Sequence, residues 1–211
     1  MEEKIASYNE MITDNSITEF ACQMFGDMFM AGKSMDSVSV ELSNSYLLKA
    51  QDAYKKAFSM NMKNFAAAFN AGISYYNQFS VLDDKVAENI RTLQSLNANR
   101  PAPSKDPKKK LVEDTKFKAS VDSVKKLNVA LDQPILAKVD AAIEWIEKAY
   151  NQLKDQEKFT KPEKNVISRS VDFLATLYGF KRDKSRGKDQ KAYDEFDAKY
   201  NFYDTLHDKY Q

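Results

Sequence analysis

One histidine, His207, and one cysteine, Cys22, are all that this chain offers for activating a nucleophile or holding a soft metal. Nucleophilic catalysis needs nucleophile, base and orienting group to converge on one point. His207 stands near the end of the sequence and reads as a solvent-facing or helix-capping residue. Cys22 falls on an apolar face beside Phe25 and reads as packing. A zinc site of thiolates and imidazoles needs three or four such donors, which a single copy of this chain cannot supply. Hard-cation chemistry would need a loop of the Asp-x-Asp-x-Asp-Gly kind, and the sequence has none. The acidic pairs Asp83/Asp84 and Glu113/Asp114 read as helix-face charges, with a glycosidase-type dyad as the minority reading. The five glycines are scattered singly, so no phosphate-cradling loop is present. The expectation is a chain with no catalytic residue, no cofactor and no metal.

Two basic runs, one at residues 105–110 and one at 181–188, could meet nucleic acid or phospholipid. Aromatic neighbours are sparse there, and Asp106, Asp183 and Asp189 are interleaved, so both read as solvated turns. The net charge is only +1, which gives no bulk field to draw in a polyanion. No nucleic-acid partner is expected. The eight methionines read mainly as core filling, with an adaptable binding surface as the alternative.

The elements that carry these residues read as helices almost throughout. Five glycines and five prolines in 211 residues leave too little punctuation for an all-β fold. Ile5, Tyr8, Met11 and Ile12 give a first helix over about 2–13. Ser16 with Glu19 reads as a capping box for a helix over 17–32. Gly32–Ser45 reads as a loop or short irregular helix, and a helix over 45–60 follows, closed by a turn at Asn61–Asn64. From Phe65 the apolar spacing continues through Val81, Leu82, Val86, Ile90 and Leu93 to Leu96. Arg100–Lys110, RPAPSKDPKKK, is the clearest break. Val112 to Leu131 then reads as one long helix. Pro134 reads as opening a new one, because proline is tolerated in a first turn. Helices over 135–153, 163–180 and 189–208 complete the chain. The helix from Phe65 to about Leu96 would run roughly 30 residues, longer than a repeat helix needs.

Small and aromatic residues recur along these helices in a set order. FNAGISYYN (Phe69–Asn77) carries Ala71, Gly72 and Tyr75. Upstream, Phe25, Gly26 and Phe29 precede Ala50, Tyr54 and Ala57. Downstream come AAIEWIEKAY (Ala141–Tyr150), then Val171, Leu174, Ala175 and Tyr178, then Ala192 and Phe196. The order resembles the tetratricopeptide repeat (TPR) family, in which small residues let paired helices approach closely. Within it, the chain is similar to bacterial cell-envelope TPR proteins that carry a long helical hairpin. The resemblance implies an all-α fold: a right-handed helical-repeat, TPR-like superhelix interrupted by a long antiparallel helical hairpin. It implies a single domain over 1–211, with N-terminal repeat pairs at 15–80 and C-terminal repeat helices at 138–208. The hairpin would span 81–137 and carry a Pro/Lys-rich tip at 100–110. Leu82, Val86, Ile90 and Leu93 would face Val121, Val124, Leu127 and Leu131.

In that family the first helix of each pair lines a concave face. The resemblance therefore places Phe20, Gln23 and Asp27 there, then Phe69, Asn70, Ile73, Tyr76 and Asn77, and finally Arg169 and Asp172. The implied function is a non-catalytic scaffold that binds an extended or helical peptide of a protein partner. The alternative is a structural subunit that associates with itself as a homo-oligomer, because incomplete repeat stacks leave apolar ends. No run of about 18 apolar residues is present, so no membrane span is expected. The N-terminal stretch MEEKIASYNE is not a signal peptide. Location reads as cytoplasmic if Met1 is the native start, and as periplasmic or cell-envelope if a signal has been removed.

Overall fold

The computed structural model describes residues 2–33 and 38–210. Among them it is all-helical, with seven helices: α1 Glu2–Thr13, α2 Glu19–Gly32, α3 Val40–Met60, α4 Phe65–Ala98, α5 Pro107–Leu153, α6 Lys161–Ser185 and α7 Gln190–Tyr210. No helix among the described residues is long and apolar enough to cross a membrane.

Local chemistry fixes most of the boundaries. Helix α5 starts earlier than the sequence reading, at Pro107, and α6 runs on to Ser185 through much of the basic run read as a turn. Three further differences have a local cause. Thr18, not Ser16, caps α2: its side chain accepts the Ala21 N–H, and Glu19 becomes the first helical residue. Ile17 is buried just ahead of it, which holds the chain extended for two residues beyond Ser16. Helix α3 begins at Val40, well before position 45, because Ser39 accepts the Leu42 N–H as its cap. Part of the loop expected over 32–45, residues 34–37, lies outside the described residues. The third difference is Pro134, which lies inside α5 and does not open a new helix. Proline removes one donor from the ladder. Ile135 and Val139, directly after it, are fully buried, and that burial outweighs one missing hydrogen bond. Asn64, as expected of a turn residue, starts α4 by accepting the Ala67 N–H at 2.8 Å. Thr160 and Glu163 form a reciprocal capping box at the head of α6.

The chain divides into two compact units, one of residues up to Gln78 together with Val139 onward, the other Phe79–Lys138. In the first, small residues sit where helices approach. A Cβ added at Gly72 would lie 2.5 Å from Ile146 Cγ1 and 3.0 Å from the Ile146 backbone nitrogen, so α4 and α5 meet nearly backbone to backbone. A Cβ at Gly26 would lie 2.5 Å from the Tyr54 ring. Ala50, Ala57, Ala71, Ala142 and Ala149 are fully buried. Tyr8, Phe25 and Phe29 stack edge-on between α1 and α2, and Phe29 reaches Tyr46 of α3.

In the second unit, the α4 segment from Phe79 and the α5 segment to Lys138 pair as an antiparallel helix–loop–helix. Asn89 Nδ2 donates to Asn128 Oδ1 at 2.7 Å, and Arg100 meets Asp114 at 2.7 Å beside the connecting loop. Ile90 and Leu127, expected in the apolar seam, are instead about half exposed. Two helices alone bury only a narrow stripe, and here the Asn89–Asn128 pair links them.

Candidate functional site

The ten residues expected on a concave face fall on α2, α4 and α6, and the structure treats them unevenly. Phe69 and Tyr76 come together on one ring that the sequence reading missed, Phe173. Tyr76 lies edge-on to it at 4.7 Å and Phe69 at 6.2 Å. The exposed guanidinium of Arg169 sits 5.1 Å from the Phe69 ring and 5.8 Å from Phe173. Cation–π contacts of this kind are worth about 0.5–1 kcal/mol at exposed sites. Phe173 could have been found, since it stands four residues after Arg169 and so shares its helical face.

The polar members are partly engaged. Gln23 Oε1 accepts from Asn64 Nδ2 at 3.1 Å, and the same amide donates to Glu19 at 2.7 Å, tying α2 to the head of α4. Asp27 accepts the Tyr54 hydroxyl at 2.7 Å. Burial, then that bond, pushes the Tyr54 hydroxyl far above its ordinary pKa, so it remains a donor at any physiological pH. Asn70, Ile73 and Asn77 are half-buried along α4. Phe20 stands apart in the first turn of α2, 74% exposed. Asp172 lies 2.6 Å from Nδ1 of His207. The only histidine is solvent-facing, its side chain 42% exposed, and its ring also reaches across to join α6 to α7. The hydrogen bond to Asp172, with the charges of Asp172, Asp208 and Asp204, raises its pKa above the ordinary histidine value.

A second constellation went unread in the sequence. Glu147 of α5 accepts hydroxyl hydrogens from Tyr178 at 2.8 Å and Tyr203 at 3.0 Å, with Lys199 3.9 Å away. Tyr178 and Tyr203 stack at 5.8 Å and Tyr150 lies edge-on to Tyr203. Burial and the neighbouring carboxylate raise both donor hydroxyls well above the usual tyrosine range. Groups that stay protonated donate hydrogen bonds and do not abstract protons, so this set acts as a clamp joining α5, α6 and α7. Its members lie 31 and 56 residues apart, a separation no local pattern reveals.

No family model, curated protein or solved structure matches the chain.

Proposed function

We propose that the unit formed by residues up to Gln78 and from Val139 onward is a non-catalytic, TPR-like scaffold that binds a protein or peptide partner. The observation that carries this reading is the order of helix contacts. Helix α2 meets α4 through Glu19, Gln23 and Asn64, and α4 meets α6 through Phe69, Tyr76 and Phe173. Helix α3 meets α5 through Phe58 and Trp145, and α5 meets α7 through Glu147 and Tyr203. A helical-repeat array requires this alternation, since each pair buries its apolar face on the next. The first helices then share a face bearing Phe20, Asn70, Ile73, Asn77 and the Arg169–Phe173–Tyr76 cluster. Its mix of aromatic and amide groups suits a peptide with alternating apolar and backbone contacts.

The test is capture from native extract with the parent chain and with the double variant Phe20→Ala/Arg169→Glu, both positions being exposed. A partner held by the parent and lost by a folded double variant supports the reading. An unchanged set of captured proteins, or none, overturns it. Self-association is favoured by one separate observation, the exposed Phe20, Met24, Met60 and Met62 near the start of α2 and the α3–α4 turn. Sedimentation over a range of concentrations distinguishes a homo-oligomer from a monomeric scaffold.

A further inference from the structure

The loop and first helical turn over residues 100–112 hold one of the chain's two basic runs, and the one whose lysines are all exposed. Five cations stand there against one carboxylate. The nearby acids are already occupied. Asp106 caps α5 by accepting the Lys108 N–H at 2.9 Å, Glu113 accepts the Ser104 N–H at 3.2 Å, and Asp114 holds Arg100 at 2.7 Å. Lys105, Lys108, Lys109 and Lys110 are exposed and make none of the ion pairs seen among the described residues. Three of them occupy the first turn of a helix, where the helix dipole disfavours cations. No ion pair within the described residues rewards lysine at these positions. Departures from local preference without a structural return point to function.

Immediately after the lysines, Leu111 is 70% and Val112 54% exposed. Pro101, Ala102 and Pro103 of the loop are exposed as well. We infer that the 100–112 segment docks on an anionic lipid surface, its lysines in the headgroup layer and Leu111 and Val112 entering the acyl boundary. Lysines act as mobile point charges, which suits a diffuse negative surface more than the fixed phosphates that arginine forks read. The only arginine in the segment is tied to Asp114. The segment holds no aromatic residue on which a nucleic-acid base could stack. Basic residues beside exposed apolar ones are the combination that binds membranes peripherally.

Each lysine near an anionic bilayer contributes roughly a fivefold gain in partitioning. The full-length chain is therefore expected to co-sediment with phosphatidylglycerol-containing vesicles and not with phosphatidylcholine alone, with binding weakened by salt. The triple variant Lys108→Ala/Lys109→Ala/Lys110→Ala should partition about a hundredfold less. Leu111→Ser, with every lysine kept, should lose about fivefold if its side chain enters the bilayer. Circular dichroism establishes that both variants keep the parent's helicity. The inference is overturned if anionic vesicles are not preferred, if either variant binds as the parent does, or if a DNA or RNA oligonucleotide is held by the same lysines while vesicles are not.

Discussion

Replacing Gly72 with alanine tests whether close helix approach, and not helix propensity, sets this glycine's role. In an ordinary helix interior, glycine to alanine gains about 1 kcal/mol. At Gly72 the new Cβ would lie 2.5 Å from Ile146 Cγ1, 3.0 Å from the Ile146 nitrogen and 3.3 Å from the Ala142 carbonyl oxygen. Two of those three atoms are backbone and cannot rotate aside, so α4 and α5 must separate. Overpacking of a buried contact costs about 1–3 kcal/mol, which leaves a net loss of up to about 2 kcal/mol after the propensity gain. Gly179 is the control. There a Cβ would meet only the edge of the Tyr200 ring, at 3.3 and 3.6 Å, so Gly179→Ala should hold or raise stability by up to about 1 kcal/mol. Gly26→Ala should resemble Gly72→Ala, because the Tyr54 ring it meets is 2% exposed and anchored to Asp27. Gly187→Ala should cost about 1 kcal/mol for a different reason: its φ is +71° with nothing within 4 Å. The single tryptophan, Trp145, lies edge-on to Phe58 at 5.3 Å, in the same unit as all four glycines. Its fluorescence during urea unfolding therefore reports the unit in question. A Gly72→Ala midpoint at or above that of Gly179→Ala would refute the reasoning.

Four further outcomes are expected. Glu147→Gln should destabilise the Trp145-containing unit by about 2–3 kcal/mol, since two charge-assisted hydrogen bonds are weakened at once, and Tyr178→Phe should cost about 1 kcal/mol; matched denaturation curves check both. The raised His207 pKa means that its pairing with Asp172 contributes stability below the ordinary histidine value and loses it as pH rises through the folded-state value. Parent and His207→Gln should accordingly differ most near pH 5–6, above the ordinary carboxylate range, and converge in alkaline buffer, with an NMR titration of the ring locating the midpoint. Thr160→Ala should cost about 1 kcal/mol by removing the capping box of α6. Pro134→Ala should raise the stability of α5 by about 1–3 kcal/mol by restoring one interior donor, read as slower amide exchange around Ala130.

What could be read in advance depended on how far apart the responsible residues stand. The start of α4 was legible because Asn64 acts three residues away, on the Ala67 N–H. Its continuation past Gln78 was legible because Val81, Leu82 and Val86 keep the helical period. Gly72 and Ala142 announced a close approach because few side chains would fit there. Pro134 misled, since its local meaning is a break, while the burial of Ile135 and Val139 on the next turn is invisible to a local rule. Ser16 with Glu19 misled in the same way, since the buried Ile17 that precedes the Thr18 cap shows only in the packed chain. Helical spacing could place Phe173 beside Arg169, but its meeting with Phe69 and Tyr76, the Asp172–His207 pair and the Glu147 clamp join residues tens of positions apart, so only the packed helices could reveal them. The same distinction bears on function. Acidic groups that look free in the sequence, Asp27, Glu147 and Asp172, each hold a partner on another helix. The lysines of the 100–112 segment, which look neutralised by interleaved acids, are left without one. Carboxylates that look free can thus be satisfied within the chain, whereas the exposed lysines of this loop and helical turn are not, and a chemical partner is most needed where satisfaction within the chain fails.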